Sequence, residues 1–344
     1  MTPPFPEAAL RAALTAAVAA WAAREGGNAG GEPRRVYVDA FAGAELQFGV
    51  GVLRDAAEPT RAEAALRALD AACAGPAPRP VALFVEEDPA HLQRIYADLE
   101  DAAGERLRAT RDFASLAPGD ASLVEAPFAA VAADVARLAT GARAFVWLAP
   151  ASARALPWEA LRPLVALPDA TLLIRLPHVD FEKQSAHTGP LADLPAFARR
   201  IVEGCSAFLG DAKHAWLPAW RAAPAEGLPL VLARFQALLE SAAGSRPVRP
   251  ITLEEDGARA WLFLVGAEVP VEAAPEPEVA VVEEIEEPAA IVDEPPAQPE
   301  PPTSEVLDLF PEIVATPPPP RAPTAPKQRR PKPEPDPGLF SGED

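Results

Sequence analysis

The sequence predicts an α/β domain whose sheet is doubly wound, mostly parallel and completed by an antiparallel hairpin. Short apolar runs alternate with helical patterns about five times along the chain. Each run is continuous rather than alternating, which is typical of parallel strands covered by helices on both faces. After this series, residues 248–253 and 260–265 flank the sequence EEDG, which predicts a hairpin turn.

The elements follow in a regular order. An amphipathic helix is expected over about 6–25, because Leu10, Leu14, Val18 and Trp21 lie on one stripe. The apolar runs predict strands at 35–41, 81–85, 122–124, 144–148 and 171–176, with helices at 58–73, 89–103, up to about 140 and at 158–165. Pro89 suits the first turn of its helix. A mostly helical insert is expected at about 178–228, and a further helix at 230–242.

The C-terminal part of the chain has a different composition. Residues 268–344 contain 20 of the 43 prolines, and 18 acidic residues against 5 basic ones. Such a segment buries too little apolar surface to offset the entropy of ordering. We therefore expect an α/β domain at 1–267 and a disordered tail at 268–344.

Composition excludes several classes of protein. Two cysteines, Cys73 and Cys205, are too few for a disulfide framework or a thiolate metal site, and the four histidines show no ligand spacing, so we expect no metal. The acidic net charge of −19 does not support general nucleic-acid binding. No apolar stretch reaches the roughly 18 residues of a membrane helix, and the N-terminal segment lacks a basic leader. These features predict a cytoplasmic protein, and 27 arginines against 4 lysines are typical of a GC-rich bacterial genome.

Two residues at predicted strand ends suggest a ligand site. In open α/β sheets ligands bind beyond the carboxyl ends of the strands, where the strand order reverses. Gly43 follows the first strand and lets the backbone approach a ligand, while Glu86 ends the second strand, where its carboxylate can accept from ribose hydroxyls. Asp39 can orient the loop or meet an amino group. The alternative is structural: Gly43 turns the chain and Glu86 caps a helix.

The same segments resemble a known family. Residues 37–43 (YVDAFAG) resemble the opening motif of S-adenosylmethionine-dependent methyltransferases, and more narrowly the bacterial three-Cys-motif partner (TcmP) family. Further similar segments are 63–69, 84–88 (FVEED), 145–150 (FVWLAP), 156–158 and 260–264 (AWLFL). The resemblance implies a Rossmann-like methyltransferase fold and S-adenosylmethionine as cofactor. It implies Asp39, Phe41, Gly43 and Glu86 as cofactor-binding residues and a three-Cys-motif protein as a partner.

The chain also departs from the family pattern. Glu45 replaces a second glycine and brings a negative charge toward the expected place of the methionine carboxylate, unless it turns outward or becomes protonated. Ala149 replaces the aspartate of an Asp-Pro pair and offers no acceptor for an attacking amine. Glu125 ends the third strand, where it would contact an adenine only in the right register. These changes predict a degenerate site, and we assign no catalytic residue.

Three cationic or titratable residues follow the last parallel strand. Arg175, His178 and Lys183 lie on the rim expected to carry the cofactor. They are expected to meet an acidic or phosphate-bearing partner, or to form a solvated loop.

One segment of the tail differs from its surroundings. Residues 305–311 (EVLDLFP) are an apolar island, which is typical of a short docking peptide. They resemble the end of the pentapeptide that binds the replication sliding clamp, although Val306 stands where that motif has glutamine. Two functions follow: an S-adenosylmethionine-binding, methyltransferase-like protein of unknown substrate, or a non-catalytic scaffold whose tail docks a partner. A nucleotide-dependent oxidoreductase is less favoured, because of the closing hairpin and residues 41–43.

Overall fold

The structure is a computed structural model that describes residues 6–24, 34–46, 59–73, 78–183 and 189–266. The predicted tail, including the segment 305–311, lies outside the described residues. The helices are α1 Glu7–Ala23, α2 Arg61–Ala72, α3 Pro89–Ala103, α4 Phe128–Ala139, α5 Trp158–Val165, α6 His178–Lys183, α7 Ala196–Phe208, α8 Trp216–Ala222 and α9 Pro224–Ala243. The strands are β1 Arg35–Asp39, β2 Val81–Glu86, β3 Leu107–Arg108, β4 Ala121–Glu125, β5 Arg143–Leu148, β6 Ala170–Arg175, β7 Val248–Glu255 and β8 Ala258–Val265.

The strands form one sheet in the order β3-β4-β2-β1-β5-β6-β8-β7. Strands β1 to β6 pair in parallel, whereas β8 runs antiparallel to both β6 and β7. Because β2 and β5 flank β1 on opposite sides, the order of the parallel strands reverses at β1. A doubly wound parallel sheet closed by an antiparallel hairpin is the Rossmann-like methyltransferase fold, so the predicted fold class is confirmed.

The sheet separates two hydrophobic cores, since successive side chains of a strand point to opposite faces. Val36 and Val38 of β1 pack toward α4, α5, α7 and α9. Tyr37 of the same strand packs toward α1, α2 and α3. Both faces of the central strands are therefore buried, which explains the continuous apolar runs in the sequence.

Capping residues and turn residues define the ends of several helices and strands. Thr60 caps α2 by accepting from the amide of Glu63, and Asp88 caps α3 by accepting from the amide of Ala90, with Pro89 in the first turn. Asp256 and Gly257 both have positive φ, which suits the tight turn between β7 and β8. The two-residue edge strand β3 was missed from the sequence, because so short a run has no periodicity to detect. None of the helices in the described ranges has the length and apolar character needed to cross a membrane.

Candidate functional site

The carboxyl ends of β1 and β2 bring together the two residues on which the predicted ligand site depends. The amide of Gly43 donates a 2.7 Å hydrogen bond to Glu86 Oε2. The strands are in parallel register, with Asp39 beside Phe84, so the loop after β1 passes over the end of β2. Gly43 and Glu86 thus lie in direct contact at the edge where β1 marks the reversal of strand order.

Backbone groups fix the carboxylate of Glu86. Its Oε1 accepts a 2.9 Å bond from the amide of Asp88, while Oε2 accepts from Gly43. His91 Nδ1 lies 3.6 Å from Oε1. A carboxylate oxygen has two acceptor sites, so each oxygen of Glu86 keeps capacity for one more donor.

Gly43 is required here for space rather than for an unusual φ. A Cβ built on Gly43 would lie 2.5 Å from Glu86 Oε2 and 2.8 Å from the Cβ of His91. Contacts this short are not tolerated, so only glycine allows the loop to approach the carboxylate without a shift of its neighbours.

A cavity of about 490 Å³ opens at this edge. Its volume lies in the range of small-molecule sites. Phe41 forms part of its wall and packs on Phe128, with ring centroids 5.5 Å apart. The cavity has apolar walls and a few polar side chains, and it is lined by Ala40, Phe41, Ala44, Val85, Glu86, Glu87, Ala126, Pro127, Phe128, Ala129, Ala151, Ser152, Arg154 and Ala155.

Glu45 turns away from this cavity and is held by α2. Its Oε1 accepts a 2.9 Å bond from the amide of Arg61, and its Oε2 lies 3.1 Å from Arg61 Nη2. Both side chains are fully buried. The carboxylate therefore sits at the positive end of α2 and beside a cation, where its charge is compensated. The expected clash between Glu45 and a ligand carboxylate does not arise in this geometry.

Arg61 joins the loop to α1 and to the sheet. Its guanidinium lies 3.5 Å from Glu7 Oε1, donates to the carbonyl of Phe41 at 3.3 Å, and stands 5.6 Å from the ring centroid of Trp147. Burial lowers the pKa of Arg61, but Glu45, Glu7, Asp39 and Tyr37 together raise it above its ordinary value. The role of Arg61 was not predicted from the sequence. Arg61, Ala65 and Leu69 are spaced four residues apart, which places them on the buried stripe of α2. This spacing was the signal in the sequence that indicated a buried arginine.

Asp39 is fully buried beneath the loop. Its Oδ1 accepts a 3.1 Å bond from the amide of Phe41. Oδ2 has no hydrogen-bond partner within the described residues. Burial raises the pKa of Asp39 to about 7, with Arg61 opposing the rise and Glu45 adding to it. Asp39 therefore titrates close to neutral pH.

The raised pKa of Asp39 predicts a pH-dependent stability that Asp39→Asn removes. The folded protein binds the proton up to about pH 7, whereas the unfolded chain releases it near the ordinary value of 3.8. The contribution of Asp39 to the free energy of unfolding therefore falls as pH rises from about 4 to about 7. We expect Asp39→Asn to gain stability relative to the native protein across this window, by on the order of 4 kcal/mol at its upper end.

Urea titrations at several pH values check the effect. Asp101→Asn, which changes an exposed aspartate of α3, controls for the loss of a surface carboxylate. A difference between Asp39→Asn and the native protein that stays constant from pH 4 to 7 contradicts the prediction.

At the carboxyl ends of β4 and β5, the side chains of Glu125 and Ala149 contribute little to the cavity. Glu125 pairs in register with Glu86 but is exposed, and the residues that follow it, Ala126 and Pro127, form the wall. Ala149 is completely buried and presents no polar group. Ser152, which lines the cavity, carries the first side-chain hydroxyl after Ala149 in the chain and was not predicted from the sequence.

The cationic rim expected after β6 is largely internal. Arg175 is 3% exposed and donates to the carbonyl of Pro150. Burial lowers its pKa to about 9, so the expectation of a solvated loop is wrong for this residue. Burial and the nearby Arg175 lower the pKa of His178 to about 4, and the His178 ring contacts Trp261 at a centroid distance of 4.7 Å. Lys183 stays at the surface and pairs with Asp180 at 3.6 Å.

Other reactive or aromatic side chains belong to the core. Cys205 is fully buried, and burial raises the pKa of its thiol, which does not suit a nucleophile. Trp158, Trp216 and Trp220 are buried as well, as expected for tryptophans of a hydrophobic core. Across the described ranges, no three His, Cys, Asp or Glu side chains form a group that could hold a metal ion.

Comparison with known proteins gives distant structural matches. No protein-family model and no curated protein matches the chain. A solved Staphylococcus aureus protein assigned as a caffeoyl-CoA O-methyltransferase is 7% identical, covers 68% of this chain and 77% of its own, and has a TM-score of 0.33. The plantazolicin methyltransferase BamL, solved with a triazolic desmethylPZN analog and SAH, is 7% identical, covers 76% and 87%, and has a TM-score of 0.30. Similarity this low carries no argument about ligand or reaction.

Proposed function

We propose that the domain binds S-adenosylmethionine in the cavity at the carboxyl edge of the sheet and is a methyltransferase-like protein. The observation that carries the proposal is the carboxylate of Glu86, which two backbone amides hold at the wall of that cavity. Each oxygen keeps one acceptor site, which suits the two hydroxyls of a ribose. The alternative role of Glu86 as a helix cap is filled by Asp88 instead.

The remaining residues fit an adenosyl ligand. Gly43 lets the loop after β1 approach and orient Glu86, because a Cβ here would overlap Glu86 Oε2 and His91. Phe41 and Phe128 supply apolar surface for a planar base. Asp39 lies beneath the loop and does not line the cavity, so its expected contact with an amino group stays a prediction. When bound, S-adenosylmethionine supplies an electrophilic methyl group, while the residues of this chain bind and orient it.

Glu45 stands where the family pattern has a second glycine, and its ion pair with Arg61 keeps it from opposing ligand binding. The carboxylate that would repel the ligand is neutralised in an internal ion pair instead. The ion pair also ties the loop 39–46 to α2 through the carbonyl of Phe41.

A second candidate function is ligand binding without methyl transfer. Ala149 is the observation that favours it, because a buried methyl group offers no acceptor for an attacking amine. In that case the domain is a scaffold, and the segment 305–311 is the proposed docking peptide for a partner such as the sliding clamp. We also propose that the chain is a member of the three-Cys-motif partner family and that a three-Cys-motif protein is its partner.

Calorimetric titration with S-adenosylmethionine tests the proposed site through Glu86→Gln. The amide would place an NH₂ donor opposite the amide of Gly43 or Asp88, so we expect binding to weaken by roughly tenfold or more, the effect of losing a charged hydrogen bond. Glu105→Gln, an exposed acid in the 3₁₀ turn after α3, should bind like the native protein. No heat at about 1 mM cofactor, or equal affinity of the two variants, would contradict the proposal.

A further inference from the structure

A second cavity, of about 420 Å³, lies between the 3₁₀ turn Phe113–Ser115 and the C-terminal half of α4. It shares no lining residue with the first cavity, which meets the N-terminal end of the same helix. Its wall also includes Arg34, which precedes β1, and Gly141 and Ala142, which form the turn before β5. The lining residues are Arg34, Arg111, Asp112, Phe113, Ala114, Asp134, Arg137, Leu138, Thr140, Gly141 and Ala142.

Three arginines and two aspartates give this cavity its charge. Arg137 and Asp134 compensate each other, because they form an ion pair one helical turn apart. Asp112 is used locally, since its Oδ1 accepts from the amide of Ala114. Arg34 and Arg111 thus remain as the cations without a carboxylate partner among the described residues.

Both of these arginines bind backbone carbonyls instead. Arg34 Nη2 donates to the carbonyl of Leu116 at 2.5 Å, and Arg111 Nη2 donates to the carbonyl of Glu125. A carbonyl positions a guanidinium but does not neutralise it. Arg34 Nε is buried without a hydrogen-bond partner among the described residues, whereas Arg111 is exposed and its other donors are open to solvent or to a ligand.

A guanidinium stays charged at every physiological pH and binds phosphate oxygens with paired donors. Two such groups line this cavity, where three arginines exceed the two aspartates, so the lining carries a net positive charge in a chain of net charge −19. The cavity volume is in the range of small-molecule sites. We propose that this cavity binds a small, multiply charged anion, a phosphorylated metabolite, at a site separate from the one beside Glu86.

Calorimetry at low salt with inorganic pyrophosphate as the probe tests this site, and citrate serves as a second arm. Pyrophosphate binding that exceeds citrate binding supports a phosphate ligand, whereas the reverse order overturns that assignment. We expect Arg34→Gln and Arg111→Gln each to weaken pyrophosphate binding by roughly tenfold or more. Arg259→Gln, which changes an exposed arginine of β8 that lines neither cavity and pairs with Glu254, should bind as the native protein does.

Further variants separate binding from folding. Arg34→Lys keeps the charge and a donor for the carbonyl of Leu116, so it should recover part of the lost affinity while Arg34→Gln does not. Glu86→Gln should leave pyrophosphate binding unchanged, since the two cavities share no residue. Absence of pyrophosphate binding to the native protein, or equal binding by the Arg34→Gln/Arg111→Gln double variant, would refute the proposal.

Discussion

Arg61→Met is expected to destabilise the domain by about 3 to 5 kcal/mol, the cost of removing one partner from a buried ion pair. Arg61 is fully buried and lies 3.1 Å from Glu45 and 3.5 Å from Glu7. Methionine has a similar length but no charge, so Glu45 would stay buried without its cation. The donor to the carbonyl of Phe41 is lost as well, which loosens the loop 39–46.

Urea denaturation followed by circular dichroism measures this loss. Arg67→Met, on the same helix, is the matched control, because the Arg67 side chain is 62% exposed while that of its partner Glu63 is 10% exposed. That variant should stay within about 1 kcal/mol of the native protein. Glu45→Gln in the Arg61→Met background should recover part of the loss, since it removes the uncompensated charge. Equal stability of the Arg61→Met and Arg67→Met variants would show that the buried network contributes nothing.

Gly43→Ala is expected to cost about 1 to 3 kcal/mol of stability, the usual penalty of overpacking, and to abolish ligand binding at the first cavity. The new Cβ would meet Glu86 Oε2 at 2.5 Å and His91 at 2.8 Å. Because Glu86 is itself held by the amide of Asp88, the strain falls on the loop that carries Gly43. The bond from Gly43 to Glu86 then lengthens, and the carboxylate loses the backbone donor that orients it.

Thermal denaturation and S-adenosylmethionine titration together report both effects. Gly189→Ala is the control, because a Cβ at Gly189 meets no atom within 4 Å and its φ is not in the left-handed region. That variant should bind and melt as the native protein does. If Gly43→Ala bound the cofactor with native affinity while remaining folded, contact between Gly43 and Glu86 would not define the site.

The order of strands and residues in the sequence predicted part of the candidate site. Gly43 after β1 and Glu86 at the end of β2 were expected at one edge of the sheet, because parallel strands that neighbour each other end together. The structure brings these two residues into hydrogen-bond contact. Whether they hold a cofactor remains a prediction, for which Glu86→Gln is the direct measurement.

The chain's periodicity determined the sheet itself. Continuous apolar runs such as residues 81–85 are typical of strands in a sheet covered on both sides, and the sequence EEDG at 254–257 predicts a tight hairpin turn. These properties depend on residues close together in the chain. The class of fold was therefore predictable without knowing which elements touch.

Tertiary structure alone decided what the charged residues do. Glu45 looked like an obstacle to a ligand until α2 placed Arg61 beside it, 16 positions along the chain. Arg34 and Arg111 form one cavity wall only because the loop before β4 packs against α4. A charge acts through whatever lies within a few ångströms in space, and sequence spacing does not specify those neighbours.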